Sequence, residues 1–275
     1  MHPVLFQIGS VTIYTYGVLA AAGFLVGLWL AYRQAPRAGL NPHGVWSLGV
    51  YGILAALLMS KMWLIFSAWD YYIAHPSEIF SMATFQSAGT FYGGVLGGII
   101  WVVLYTRFQK MALLAVLDVL AAPIALGHAI GRIGCFVAGC CYGKPTSLPW
   151  GVTFTSPIAE TIAGTPLRVS LHPTQLYEAG AEFLNFFLLI WLGARRRFTG
   201  QLIGAYFVLY GSERGAIEFL RGDPGRTMMF HNSVSLMQIV SAGLIIAGAS
   251  LWWRGLRRAD SIARAPAPRA MASRS

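Results

Sequence analysis

Apolar segments long enough to cross a bilayer recur along this 275-residue chain, and they constrain its fold more than any other feature. A membrane-spanning helix needs about 20 mostly apolar residues. Only 11% of the residues are charged and 56% are hydrophobic, whereas about a quarter of an average soluble domain is charged. We therefore predict an all-α membrane protein with seven transmembrane helices, at residues 11–32, 44–67, 88–106, 112–138, 173–193, 201–220 and 233–253.

Basic residues are concentrated in alternate connecting segments. They follow the first, third, fifth and seventh spans, whereas segment 68–87 contains no lysine or arginine. The positive-inside rule then places the N-terminus outside and the C-terminus in the cytoplasm. The first residues lack the basic region and cleavage site of a signal peptide, so we expect the first span to be retained. The net charge is +10, with Arg195–Arg197 between apolar spans and six arginines from Arg254 onward, which argues against a nucleic-acid groove.

The composition predicts a single integral-membrane domain over residues 1–258. The longest outer segment, about 139–172, contains four prolines, and we expect it to form a small ordered extracytoplasmic cap. Residues 259–275 are rich in alanine, proline and arginine, which is typical of a disordered cytoplasmic tail.

Ionisable residues inside the spans are the candidates for a functional site, because they are costly in a bilayer unless they face a cavity or a partner. Arg214 and Glu218 share one helix face at spacing i, i+4. The predicted topology places a further set toward the outer leaflet: Arg132, His172, Gln175, Glu178, Arg221 and Asp223. Three interpretations are open for these residues. They could form salt bridges that hold the helices together, or they could form a proton path. They could also bind the phosphate of an anionic lipid, since arginine offers a planar fork of donors. His128, alone among the histidines in lying well inside a span, is interpreted as a packed residue.

All three cysteines lie in the stretch "GRIGCFVAGCCYG" at the end of the fourth span. The spacing C-x4-C-C does not match a zinc motif, so no metal site is predicted. Cys135 could form a disulfide with Cys140 or with Cys141, or act as a nucleophile beside Arg132, but small buried apolar residues are the default interpretation.

Several motifs in order resemble one bacterial enzyme family over nearly the whole chain. They are "HPVLFQIGSVTIYTYG", "GGVLGG", "GRIGCFVAGCCYG", "HPTQLYE", "GAYFVLYGSERGAIEFLRGDP" and "LMQIVS". The chain resembles the prolipoprotein diacylglyceryl transferases. The resemblance implies a multi-pass protein of the bacterial inner membrane that moves a diacylglyceryl group from phosphatidylglycerol to the lipobox cysteine of a prolipoprotein. Glycerol phosphate leaves, and no cofactor is needed.

The resemblance also implies roles for individual residues. Arg132, Arg214, Glu218 and Tyr92 are predicted to be catalytic. Substrate binding is predicted for Arg132 and for Tyr16, Gly93, Gly94, Gly143, His172, Gln175, Glu178 and Arg221. The chain departs from the family pattern at three positions: Tyr92 replaces a histidine, Cys135 an asparagine, and Cys140 an acidic or small residue.

Two alternative functions remain open from the sequence. The first is a diverged family member with another lipid or acceptor, or without transferase activity. The second is a small transporter, for which we expect an internal repeat or matching broken helices, and the sequence contains no convincing repeat.

Overall fold

The computed structural model describes residues 2–9, 11–81, 84, 89–229 and 233–264. Its chain divides into two compact units, where the sequence predicts one domain. The first unit comprises the described residues up to Gly27 and from Leu120 onward, and the second comprises Leu28–Val119. The helices are α1 Thr15–Gln34, α2 Pro42–Ser67, α3 Trp69–Ala74, α4 Phe91–Phe108, α5 Leu113–Ala138, α6 Pro157–Ala163, α7 Thr174–Gly193, α8 Gln201–Glu218 and α9 Leu236–Arg264.

Six of these helices are long and apolar enough to cross a membrane: α1 with its 3-10 extension to Ala38, α2, α4, α5, α7, and α9 as far as Arg258. The prediction of a multi-pass helical membrane protein is confirmed at this level. The remaining long helix, α8, has the predicted place in the chain but contains Glu213, Arg214 and Glu218. Its charged residues explain why it is not among the six.

Short strands accompany the helices, although the sequence predicts an all-α fold. Strands β1 Val4–Ile8 and β2 Val11–Tyr14 form an antiparallel hairpin before α1. The predicted first span therefore begins too early, because residues 11–14 are extended. Two further two-stranded sheets pair β3 Val152–Thr153 with β4 Ser170–Leu171, and β5 Met228–Met229 with β6 Val234–Ser235.

In the second unit, α2 and α4 pack closely along the glycines of "GGVLGG". A Cβ atom on Gly97 would lie 2.6 Å from Met59 Cβ, and one on Gly93 would lie 2.6 Å from Trp63 Cβ. Gly93 therefore serves helix packing, whereas a Cβ on Gly98 would have no neighbour within 4 Å. This close approach is the usual role of small residues between membrane helices.

In the first unit, a small lobe follows α5. Gly139 ends the helix with φ of +86°, and its N–H donates to Cys135 O over 2.9 Å. Tyr142, Phe154 and Leu171 form the buried core of the lobe. The predicted cap thus corresponds to an ordered lobe, and its extracytoplasmic location stays a prediction.

At the other end of the chain, α9 continues to Arg264. It therefore extends into the segment that the sequence predicts to be disordered. Residues 265–275, which complete that predicted tail, lie outside the described residues.

Candidate active site

Helices α5 and α7 present ionisable pairs to each other within the first unit. His128 and Arg132 are four residues apart on α5, and Glu178 and Glu182 have the same spacing on α7, so each pair lies on one helix face. Arg132 Nη2 lies 2.7 Å from Glu178 Oε1, and His128 Nδ1 lies 2.7 Å from Glu182 Oε1. Two polar contacts therefore join these helices inside an apolar protein.

The hydrogen bonds of His128 fix the position of its proton. Arg132 Nε donates to His128 Nε2 over 3.1 Å. A guanidinium N–H only donates, so Nε2 must accept, and the proton of the neutral ring lies on Nδ1. Nδ1 then donates to Glu182 Oε1, which also accepts from the Tyr206 hydroxyl over 3.1 Å. His128 is thus held as an imidazole whose Nε2 lone pair faces Arg132.

Helix α8 adds a second buried arginine to this cluster. Arg214 Nη1 lies 2.7 Å from Glu218 Oε2, and Arg214 Nε lies 4.0 Å from Glu178 Oε1. The Arg214 side chain is 4% exposed. Its Nη1 makes an ion pair but has no aligned hydrogen bond among the described residues. A buried donor without an acceptor costs about 1–3 kcal/mol, so this nitrogen is suited to a ligand oxygen.

Beyond α8, two more arginines line the same end of the helix. Arg226 Nε donates to Glu218 Oε1 over 2.9 Å, and Arg226 Nη1 donates to Arg221 O over 3.2 Å. Arg221 itself donates through two nitrogens to both carboxylate oxygens of Asp223, at 2.7 and 2.6 Å. Burial lowers the pKa of the Arg221 guanidinium, but the hydrogen bonds and charge of Asp223 outweigh burial and hold that pKa above its ordinary value.

Gly143 lies where three segments meet. Its N–H donates to His172 O over 3.0 Å, and the next residue, Lys144, donates its N–H to Leu220 O over 2.8 Å. A Cβ atom on Gly143 would lie 2.5 Å from His172 Cβ and 2.6 Å from His172 O. The structure therefore gives Gly143 a close-packing role between the lobe, the start of α7 and the end of α8.

The "HPTQLYE" residues hold the lobe against α7. His172 Nδ1 lies 3.3 Å from the Tyr177 hydroxyl, which accepts from Trp150 Nε1 over 2.8 Å. Gln175 Nε2 donates to Cys140 O over 2.7 Å. Its buried Oε1 has no hydrogen-bond partner among the described residues. His172 and Gln175 thus position the lobe, whereas Glu178 belongs to the ionic cluster.

The other predicted site residues are divided between the two units. Tyr16 is 46% exposed at the start of α1, beside α5, where a Cβ on Gly134 would lie 3.3 Å from Tyr16 Cδ2. Tyr92, Gly93 and Gly94 lie on α4 in the second unit.

The three cysteines are free thiols whose sulfur atoms all lie within 4.8 Å of one another. The Cys140 thiol donates to Cys135 O over 3.7 Å. Hydrogen bonding with the other two thiols and the charges of Arg132 and Arg221 hold the pKa of Cys141 below its ordinary value, although burial opposes them. The sequence does not predict that the three sulfurs converge, nor that His128, Glu182, Tyr206 and Arg226 take part in the ionic cluster. The i, i+4 spacings of His128 with Arg132 and of Glu178 with Glu182 were the available signal.

The apolar helices and the buried ionic cluster together define a multi-pass membrane protein with a polar site among α5, α7 and α8. The family model described as prolipoprotein diacylglyceryl transferase matches residues 3–254. The chain therefore belongs to the prolipoprotein diacylglyceryl transferase family, and the family and enzyme class predicted from the sequence are confirmed.

Individual relatives agree with the family match. A phosphatidylglycerol–prolipoprotein diacylglyceryl transferase of Clostridium tetani (strain Massachusetts / E88) is 36% identical over 250 residues, covering 90% of this chain and 95% of the relative. A protein of the same name from Pseudoalteromonas translucida (strain TAC 125) is 32% identical over 255 residues, covering 91% of each chain. Another, from Polaromonas sp. (strain JS666 / ATCC BAA-500), is 34% identical over 285 residues and covers 98% of each.

Proposed function

We propose that this chain transfers the diacylglyceryl group of phosphatidylglycerol to the lipobox cysteine thiol of a prolipoprotein and releases glycerol phosphate. The substrates follow from the names of its relatives and from the family to which it belongs. The observation that carries the proposal is that the partly buried Arg132 and the buried Arg214 approach the same Glu178 oxygen, at 2.7 and 4.0 Å.

Two guanidinium groups on one carboxylate oxygen form a binding site for an anion. Arginine matches phosphate with parallel N–H donors, and an oxygen of the lipid phosphate can take the place of Glu178 Oε1 between Arg132 and Arg214. The Arg214 Nη1 donor, which lacks an aligned acceptor, is then satisfied by a phosphate oxygen. Both arginines stabilise the charge that builds on the departing glycerol phosphate. This electrostatic stabilisation is stronger in a site that excludes water than in solution.

Glu218 acts as a positioning residue for the two arginines that it contacts. Its two oxygens lie 2.7 Å from Arg214 Nη1 and 2.9 Å from Arg226 Nε, and its side chain is 1% exposed. A buried carboxylate between two arginines fixes both before substrate binds, so little reorganisation remains for the reaction.

His128 is the candidate base for the acceptor thiol. A free cysteine has a pKa of about 8.5, so a nearby base increases the thiolate fraction at neutral pH. When the lipid phosphate engages Arg132, the Nε2 lone pair of His128 is released and can accept the thiol proton. Glu182 then stabilises the imidazolium through Nδ1, to which it lies at 2.7 Å. The thiolate attacks the glycerol carbon, the carbon–oxygen bond to phosphate breaks, and glycerol phosphate leaves.

The remaining predicted residues have supporting roles in this proposal. Tyr16 is partly exposed beside α5 and is placed to hydrogen-bond the lipid head group, whereas Gly143, His172 and Gln175 hold the lobe that admits the peptide. Tyr92, Gly93 and Gly94 stay predictions for the second unit. The mechanism uses no cofactor.

For the membrane arrangement we propose seven spans in a bacterial inner membrane, with α8 as the span that carries the site. A charged helix is tolerated in a bilayer when its ionisable residues face partners, and Arg214 and Glu218 do so. Arg33, Arg107, Arg195 and Arg257 end or follow alternate spans, which supports an outside N-terminus and a cytoplasmic C-terminus.

Growth of a transferase-depleted bacterium tests this function directly. We expect the wild-type chain to restore growth and, in phosphatidylglycerol vesicles, to convert a lipobox peptide to its thioether product. Arg132→Ala and Arg214→Ala should each abolish both results, and Tyr92→His should preserve them. Failure of the wild-type chain to restore growth, or full activity of either alanine variant, would contradict the proposal.

A further inference from the structure

The three thiols converge because the backbone reverses directly after α5. Cys135 lies in the last turn of the helix, Gly139 has φ of +86°, and Cys141 has φ of +60°. Few side chains other than those of glycine and asparagine adopt such positive φ values without cost. The reversal brings the Cys140 and Cys141 sulfurs back to Cys135, so that all three lie within 4.8 Å of one another.

Two side chains at the start of α7 hold the backbone of Cys140 and Cys141 in place. Gln175 Nε2 donates to Cys140 O over 2.7 Å, and Thr174 Oγ1 donates to Cys141 O over 2.8 Å. Gln175 and Thr174 are each 1% exposed, so both hydrogen bonds are shielded from water. The two carbonyl anchors hold the cysteine backbone in place, and the thiols are arranged before any ligand arrives.

We propose that Cys135, Cys140 and Cys141 form a binding site for a soft, thiophilic metal ion of the Cu(I) class. Thiolates select soft ions such as Cu(I) and Zn(II). A metal–sulfur bond of about 2.3 Å requires sulfurs about 4.0 Å apart in a three-coordinate plane. Separations within 4.8 Å reach that value through small side-chain rotations. A disulfide would use two of the sulfurs and leave the third outside the bond.

Binding of one Cu(I) by three thiolates releases three thiol protons and leaves a net charge of −2. Arg132 lies one helical turn from Cys135 on α5 and offsets part of that charge, since it is also paired with Glu178 at 2.7 Å. The transferase mechanism uses none of the three sulfurs, so the site goes beyond the proposed function and does not depend on it.

Copper transfer to the reduced, purified full-length chain tests the site. Cu(I) is supplied anaerobically as its bicinchoninate complex, whose colour falls as the protein takes up the ion. We expect the wild type to remove one Cu(I) per chain and X-ray absorption to detect three sulfur ligands. A variant with all three cysteines replaced by serine should lose this uptake, and Cys140→Ser alone should bind more weakly.

Alkylation of the wild-type chain provides a readout that does not depend on how the variants fold. N-ethylmaleimide should modify the partly exposed Cys140 and Cys141 of the reduced protein, whereas Cys135 is buried, and one equivalent of Cu(I) should protect both. Equal uptake by the triple serine variant would assign the copper to methionine thioethers and overturn the proposal. Unreduced protein with one reactive thiol, combined with a reduced protein that takes up no copper, would identify a disulfide pair instead and overturn it as well.

Discussion

Replacement of Arg132 by lysine separates the charge of this residue from its geometry. Arg132 contacts Glu178 through Nη2 at 2.7 Å and His128 through Nε at 3.1 Å. A lysine ammonium keeps the positive charge, but its three N–H donors share one nitrogen, so it cannot bind phosphate with two parallel bonds or reproduce the spacing of Nε and Nη2. Loss of one charge-assisted hydrogen bond costs about 1.5–3 kcal/mol, and each 1.4 kcal/mol is tenfold. We expect kcat/KM to fall by about 10- to 150-fold.

The assay follows initial rates of thioether formation on a fluorescent lipobox peptide in phosphatidylglycerol vesicles. Arg195→Lys is the matched control, because the Arg195 guanidinium lies 4.5 Å over the Trp191 ring at the far end of α7. Its kcat/KM should stay within about twofold of the wild-type value, as expected for an exposed site away from the chemistry. If kcat/KM of Arg132→Lys fell by less than about threefold, or if kcat/KM of both variants fell equally, the planar fork of Arg132 would not be a source of transition-state stabilisation.

Two further variants test His128 and Gly143. His128→Gln should lower kcat by about 10²- to 10⁴-fold, whereas His75→Gln should leave kcat unchanged. A His128→Gln variant that kept the wild-type kcat would exclude His128 as the base. Gly143→Ala should reduce the free energy of unfolding by about 1–3 kcal/mol, because the new Cβ would lie 2.6 Å from a backbone oxygen, as judged by thermal unfolding in detergent. Gly180→Ala is its control, since a Cβ there meets nothing within 4 Å, and equal stability of the two variants would refute the packing argument.

Hydropathy predicted the apolar helices well, because each must carry enough apolar residues to cross a bilayer regardless of its neighbours. Hydropathy gave the wrong secondary structure where local strand pairing competes with helix formation. Residues 11–14 read as the start of a helix, yet they pair with β1 after a turn at Gly9, whose φ is +58°. The preceding β-branched and aromatic residues were the local signal for a strand.

For helix α8, the difficulty was to predict that its charged residues are buried. Its charged residues reduce its apolar character, yet Arg214 and Glu218 are 4% and 1% exposed in the folded chain. Their burial depends on partners from α7 and from Arg226, which the local sequence does not contain. The spacing i, i+4 predicted that Arg214 and Glu218 would meet, and they do. It could not predict that Glu178 would lie between two arginines.

The arginines of the ionic cluster already have carboxylate partners before any lipid binds. Among the described residues, Arg132, Arg214 and Arg226 each contact Glu178 or Glu218. An incoming phosphate must therefore take over contacts that are already made. Glu178 is the partner to displace, because its Oε1 is the atom that both Arg132 and Arg214 approach. Displacement also frees the Nε2 acceptor of His128 from Arg132, so lipid binding itself would prepare the base for the thiol.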